Sequence, residues 1–284
     1  MRGILPNDAS ATPARRASTD SRTASRATAA TPPIAFDAVP LPEVLRQLLT
    51  AAGPSGYETA PAAVFAAAAR RFTDDVEIDV MGSVVARVAG TTSGAPSLAV
   101  VGHIDEIGLI VTHIDDSGFL RFTGVGGWDP QILVGQRVEV MTRAGAVAGV
   151  AGRKPIHLLR EEEREKVPKL RDLHVDIGAK DGDEARELVR IGDVAVIAGE
   201  PLELRNDRIV SRSMDNRLGS FIALEAARLV AEAGGAPGDV AALGVVQEEI
   251  TFGGARTSAY RLRPDVAIVV DVTHETGSPG VEVN

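Results

Sequence analysis

The chain is predicted to adopt an α/β fold, a doubly wound mixed sheet interrupted by a β-rich insert. Three features carry this prediction. Downstream of Asp215, helix and strand patterns alternate, as helices covering a parallel sheet require. Upstream, Ser97-Leu98-Ala99-Val100-Val101 is a nearly unbroken apolar run, the pattern of a strand buried on both faces. Between them, from about Ile107 to Ile197, short Val/Ile-rich runs alternate with glycine turns, the texture of a small antiparallel module closed as a barrel.

The elements follow in order. Leu41, Leu45, Leu48 and Leu49 repeat at helical spacing, with Pro42 in the first turn. Gly53-Pro54-Ser55-Gly56 stops that helix, and an Ala-rich helix is expected from Thr59 to Phe72. Strands are expected at Val76 to Val80, Val84 to Val88 and Ser97 to Val101. The insert supplies Ile107 to Thr112, Gln136 to Met141 and Val147 to Val150. Its only tryptophan, Trp128, reads as insert core. The charge run Arg160 to Lys166 reads as a solvated loop. A helix from Leu218 to Ala233, a buried strand from Val240 to Val246, a helix from Gly254 to Leu262 and a second buried strand from Val266 to Val270 complete the pattern. The α/β domain is thus expected to be split over 36–106 and 198–284, around an insert at 107–197.

Composition narrows the function. With 284 residues, 44% of them hydrophobic, the chain can bury a substantial core. A formal charge of −9 gives a nucleic-acid partner no electrostatic support. No apolar run reaches the roughly 20 residues needed to cross a bilayer, so no membrane role is expected. The absence of cysteine excludes thiolate nucleophiles and cysteine-ligated zinc, so a metal site must use His and carboxylates. Residues 1–35 are Ala/Thr/Ser/Arg-rich and lack the apolar stretch of a secretory signal. They are expected to be a disordered tail, a transit-peptide reading being the alternative, and a cytoplasmic location is the expectation.

Ligands of doubly wound sheets gather beyond the carboxyl ends of the strands. Three apolar runs here end in metal-binding side chains: His103 and Asp105 after one, Glu248 and Glu249 after the next, Asp271 after the third. Asp215 sits just before a helix. A mixed His/carboxylate set suits zinc, cobalt or manganese. Two such ions in one site polarise a carbonyl and generate hydroxide near neutral pH. The two oxygens of Asp215 can each bind one ion, His103 offers a ring nitrogen, and Asp105 can hold that ring from behind. Of the adjacent glutamates, one ligates and the other is free to take a proton from water. Singly, each of these reads as a surface acid, a helix cap or a turn; their shared placement at strand ends favours a metal site.

The same segments resemble the metallo-aminopeptidases that assemble as tetrahedral particles, the glutamyl and deblocking aminopeptidases, some once labelled endoglucanases or cellulase M. The resemblance runs from about Leu41 to the end. It is carried by Gly102-His103-Ile104-Asp105-Glu106-Ile107-Gly108, Gly126-Gly127-Trp128, Gly135-Gln136-Arg137-Val138 and Gly152-Arg153-Lys154-Pro155-Ile156-His157. Further on it is carried by Asp176-Ile177-Gly178-Ala179, Met214-Asp215-Asn216-Arg217-Leu218-Gly219, Gln247-Glu248-Glu249 and Asp271-Val272-Thr273. It implies His103, Asp215, Glu249 and Asp271 as ligands of two divalent ions, zinc or cobalt. Asp105 is implied as the residue behind His103, and Glu248 as the general base. It also implies a zinc-peptidase-type sheet, a dimerisation barrel, peptide substrates cleaved from the amino end, and dimers assembling to a dodecamer.

Two departures bear on these expectations. Ile250-Thr251-Phe252-Gly253-Gly254-Ala255 replaces the family's usual Val-Gly-Leu-Arg-Gly-Ala run. The family also continues past a segment like Thr276 to Asn284 and supplies a further His ligand there. A C-terminally truncated member is therefore expected, with a catalytically impaired subunit that still assembles as the alternative. His113, His157, His174 and His274 offer no evident replacement. A glycosidase using Glu248 and a second carboxylate also fits paired acids, but 4% aromatic content argues against a sugar-stacking cleft.

Overall fold

The structure, a computed structural model, describes residues 40–281. The expected tail at 1–35 lies outside the described residues. The chain enters through α1 (Glu43–Thr50) and α2 (Thr59–Ala69), then β1 (Val76–Ile78), β2 (Val84–Val88) and β3 (Leu98–His103). Pro42 stands one position before α1 rather than inside its first turn, where its fixed φ still suits helix entry. Leu45, Leu48 and Leu49 are the buried face of α1.

A closed barrel follows. Its strands are β4 (Gly108–Ile114), β5 (Leu120–Val125), β6 (Arg137–Thr142), β7 (Gly145–Arg153), β8 (Leu173–Asp176) and β9 (Val194–Ile197), in the order β4-β5-β8-β7-β6-β9. Every pairing is antiparallel. Closure removes the exposed edges a small sheet otherwise presents. Alternate residues point inward, so Leu109, Val111, Leu120, Phe122, Val138, Val140, Leu173 and Val175 fill the interior. Trp128 packs against this core and donates its indole N–H to the Gly108 carbonyl at 2.7 Å. The charge run is exposed, as expected, but winds one turn of helix, α3 (Glu161–Arg164). The strands β5, β8 and β9 and the helix α4 (Gly182–Leu188) lie outside the elements expected from the sequence.

A hairpin of β10 (Leu202–Leu204) and β11 (Arg208–Val210) leads back to the α/β layer. There α5 (Met214–Glu232), β12 (Val240–Val245), the single turn α6 (Glu248–Thr251), α7 (Gly253–Leu262) and β13 (Val266–Val269) complete the fold. The mixed sheet has the order β1-β2-β12-β3-β13, with β12 and β13 parallel to β3 and β2 antiparallel to β12. On one face Leu48, Phe65, Val84, Val100, Ala223 and Leu224 form a core between α1, α2, α5 and the sheet. On the other face Val85, Ala99, Val101, Ala241, Leu243 and Val245 meet Ala255 and Leu262 of α7. Helices therefore cover both faces, as the doubly wound class requires.

One expectation is corrected. The run Val266 to Val270 was expected to be a buried strand, yet β13 is exposed along its length, with Val269 at 72%. The strand pairs with β3 on one side only, and among the described residues nothing covers its outer edge. An apolar run shows that a strand can be buried; only the neighbours decide whether it is.

Candidate metal centre

The site forms where β3, β12 and β13 end at one rim. In the β3–β12 register His103 pairs with Val245, so the chain leaving β12 emerges beside the imidazole. Gln247 then takes a left-handed conformation, φ 57°, which is costly for a residue with a side chain. That turn ends the strand and brings Glu248 and Glu249 round toward His103. Ser213, φ 57°, makes a similar turn ahead of Asp215. Asp215 and Asn216 depart from helical dihedrals before α5 settles into regular helix, and the peptide between them is cis.

Two glycines set the approach of α5 to β3. A Cβ on Gly102 would fall 2.3 Å from the main chain of Gly219, and one on Gly219 would fall 2.4 Å from Asn216 and 2.5 Å from the Val270 carbonyl. Only glycine allows main chain to come this close. Asn216, buried, donates from Nδ2 to the Val270 carbonyl at 2.7 Å and accepts from Gly219 N at 2.9 Å. It thereby ties the start of α5 to the end of β13, close to Asp271. Asn216 was expected only as part of the motif around Asp215, not as a support of the site.

His103 is 3% exposed. Its Nε2 lies 3.0 Å from Asp215 Oδ1 and 3.7 Å from Glu248 Oε2. Donor atoms of His103, Asp215 and Glu249 lie within 4.8 Å of one another, and so do donors of His103, Glu248 and Asp271. All four carboxylates thus stand around one imidazole. The second group contains Glu248, so geometry alone does not separate ligand from base.

Asp105 is fully buried behind this rim. Its Oδ1 lies 3.4 Å from His103 Nδ1, an ion-pair contact not aligned as a hydrogen bond. Its two oxygens accept the main-chain N–H of Glu248 at 3.0 Å and of Glu249 at 3.1 Å, and the Ser55 hydroxyl donates to it as well. Asp105 therefore stands behind the imidazole and holds the turn carrying the glutamates. Beneath it, buried Glu106 accepts from Arg212 at 2.6 Å and from Arg217 at 3.4 Å. Arg217 is completely buried and also donates to the carbonyls of Leu48 and Ala51. This ion triad locks the end of α1 to the start of α5.

Charge at the rim is unbalanced. Burial pushes the Glu249 carboxyl up to about 7, with Asp215 adding to the rise. Glu248 is raised by burial against the pull of His103, with Asp105, Asp271 and Asp215 raising it further. Burial alone lowers the His103 imidazole, but Asp105 and Asp215 overcome this and hold it up at about 10. Asp105 stays ionised below its ordinary range, because His103 and Ser55 outweigh its burial. Several acids crowded on one imidazole repel one another, and a bound cation relieves that repulsion. One nitrogen and several carboxylate oxygens within bonding reach form a donor set that fits divalent ions of the zinc type.

The remaining histidines lie elsewhere. His113 is exposed on β4, and His157 and His274 are exposed. His174 is half-buried, edge-on to the Phe119 ring at 4.8 Å.

A mixed α/β sheet interrupted by a β-barrel, with imidazole and carboxylates at the sheet rim, defines a metallopeptidase-type protein. The family model described as M42 glutamyl aminopeptidase matches residues 82–283. The chain belongs to that family. It is 34% identical over 235 residues to a lysyl aminopeptidase of Pyrococcus furiosus, covering 81% of this chain and 66% of the relative. Among solved structures it resembles a TET aminopeptidase from a marine sediment archaeon of the Thaumarchaeota, with a TM-score of 0.80 and 37% identity over 84% of this chain and 67% of that one. It also resembles the Pyrococcus horikoshii TET1 peptidase, described as able to assemble into a tetrahedron or a large octahedral shell. The TM-score there is 0.75, with 32% identity over 85% of this chain and 72% of that one. The chain spans about two thirds of the length of the curated relatives it matches, 66% for the lysyl aminopeptidase.

Proposed function

We propose that this chain is a metal-dependent aminopeptidase, hydrolysing N-terminal residues from peptides. The observation that carries the reading is the convergence of four carboxylates on the buried His103 imidazole at one sheet rim. His103, Asp215, Glu249 and Asp271 would hold two divalent cations, zinc or cobalt. When bound, such ions polarise the scissile carbonyl and lower the pKa of water.

The chain's own residues do the rest. Glu248, half-buried beside His103 and held by its main-chain N–H on Asp105, takes the proton from the attacking water and delivers it to the leaving amine. Asp105 keeps the His103 ring facing the acids. The barrel, proposed as residues 107–197, serves as the dimerisation module of a homo-oligomer, and the sheet domain as 36–106 with 198–284. A cytoplasmic location accords with the charge and composition; among the described residues no helix is long and apolar enough to cross a membrane.

A second reading, an impaired subunit that keeps its assembly role, is favoured by one observation. Asp271 is exposed, at the end of a strand that nothing covers among the described residues. Metal analysis separates the two, together with turnover of amino-acyl chromogenic substrates under added zinc or cobalt. Two equivalents of metal with turnover support the peptidase. Protein that binds metal stoichiometrically yet releases no amino-terminal residue from any such substrate sinks it.

A further inference from the structure

The Gly53-Pro54-Ser55-Gly56 stretch does more than stop a helix. Ser55 and Glu58 are both buried, at 3% and 6% exposure, and both reach beyond their own segment. Glu58 stands at the N-cap of α2, but its side chain makes no capping bond. Instead Glu58 Oε1 accepts from Gly56 N at 2.7 Å and reaches across to Gln247 N at 3.0 Å, 189 residues on. Gln247 is the left-handed residue that aims Glu248 and Glu249. Ser55 donates its hydroxyl to Asp105, whose two oxygens hold the next two amides of the same turn. Three consecutive N–H groups, at Gln247, Glu248 and Glu249, thus end on two buried carboxylates, and the 53–58 loop supplies one of these and anchors the other.

The loop is itself fixed. Ser55 N donates to the Glu106 carbonyl at 3.2 Å, and Glu106 N returns a bond to the Gly53 carbonyl at 3.1 Å. Gly53 N donates to the Glu106 side chain at 3.0 Å. On its outer side the Tyr57 hydroxyl donates to the Gly192 carbonyl at 3.0 Å, on the turn leading into β9 of the barrel. The loop therefore touches both the rim and the insert.

We propose that Ser55 and Glu58 are positioning residues: they hold the strained 247–249 turn in the one conformation that presents Glu248 and Glu249 to His103. The proposal rests on the roles given above to those two glutamates. A left-handed non-glycine residue relaxes unless its surroundings over-determine it, and the Glu58 bond to Gln247 N is what does so here. An acceptor oxygen is required, not a charge, so Glu58→Gln keeps the turn held and Glu58→Ala loosens it.

Amide hydrogen exchange on the metal-free full chain tests this directly. Glu58→Ala and Ser55→Ala are expected to speed exchange at residues 247–249 by about tenfold or more. Glu58→Gln should restore protection, and amides of β3 and α5 should stay unchanged in all three variants. Unchanged protection at 247–249 in both alanine variants overturns the proposal, as does a rise matched by β3 and α5, which marks general loosening. On metal-loaded protein, kcat is expected to fall about tenfold in Glu58→Ala with KM nearly constant, and to recover in Glu58→Gln. A wild-type chain that binds no metal defeats the peptidase reading, while the exchange data still decide the role of the loop.

Discussion

Gly102 and Gly219 lie so close that no side-chain carbon fits between the end of β3 and the start of α5. This contact brings His103 Nε2 to within 3.0 Å of Asp215 Oδ1, across 112 residues of sequence. Gly102→Ala is expected to push α5 outward, lowering stability by about 1–3 kcal/mol through overpacking. It should also weaken metal binding. Denaturant titration and calorimetric metal titration check the two effects; a variant as stable as wild type with unchanged affinity shows that the glycine contact does not set the site.

Glu248→Gln keeps the side chain's shape and removes its basicity. Turnover is expected to drop about 10²- to 10⁴-fold, with metal stoichiometry retained because His103, Asp215, Glu249 and Asp271 are untouched. Steady-state rates alongside elemental analysis distinguish the roles. Unimpaired turnover refutes Glu248 as base, and loss of metal assigns it as a ligand instead.

Metal uptake should depend on pH in a defined direction. Without metal, the neighbouring carboxylates, Asp105 foremost, outweigh burial and hold His103 near 10, while burial and Asp215 hold Glu249 near 7. An ion must displace any proton on its ligands, so affinity rises with pH. Between about pH 7 and 10 one proton, from His103, is released, giving up to about tenfold per pH unit. Below about pH 7 the slope steepens as Glu249 also gives up a proton. Titration calorimetry in buffers of different ionisation enthalpy counts these protons; a pH-independent affinity contradicts the assignment of either ligand.

The buried triad of Glu106, Arg212 and Arg217 makes a prediction about folding. Glu106→Ala leaves the fully buried Arg217 guanidinium, already depressed to about 10 by burial, without its carboxylate. Breaking such a pair costs about 3–5 kcal/mol. Urea unfolding should show a loss of that size. A change below about 1 kcal/mol would mean the guanidiniums find water or other acceptors.

Much of the site was legible in the linear chain because strand ends are predictable from apolar runs. The runs ending at Val101 and Val246 are buried as read, and His103, Asp105, Glu248 and Glu249 follow them because the chain direction of parallel strands puts their carboxyl ends on one rim. The doubly wound mixed sheet and the barrel insert were legible for a similar reason: alternation of helix and strand, and glycine-punctuated Val/Ile runs, are local signals. The strands β5 and β8 were not, since their apolar residues alternate with polar ones over short lengths, whereas β9, Val194-Ala195-Val196-Ile197, carries a wholly apolar run that could have marked it.

What the sequence determined by itself was the inventory: no thiols, one imidazole with acids placed at strand ends, and the order of elements that brings those ends together. What only the tertiary structure decided was which groups meet and which are covered. Val266 to Val269 is apolar enough for a core yet lies exposed, because burial belongs to neighbours and, among the described residues, β13 has one on a single side. In sequence Ser55 read only as part of a helix stop, and Glu58 and Asn216 were given no role of their own. Long-range hydrogen bonds make them the supports of the rim, and such partners leave no local pattern in sequence.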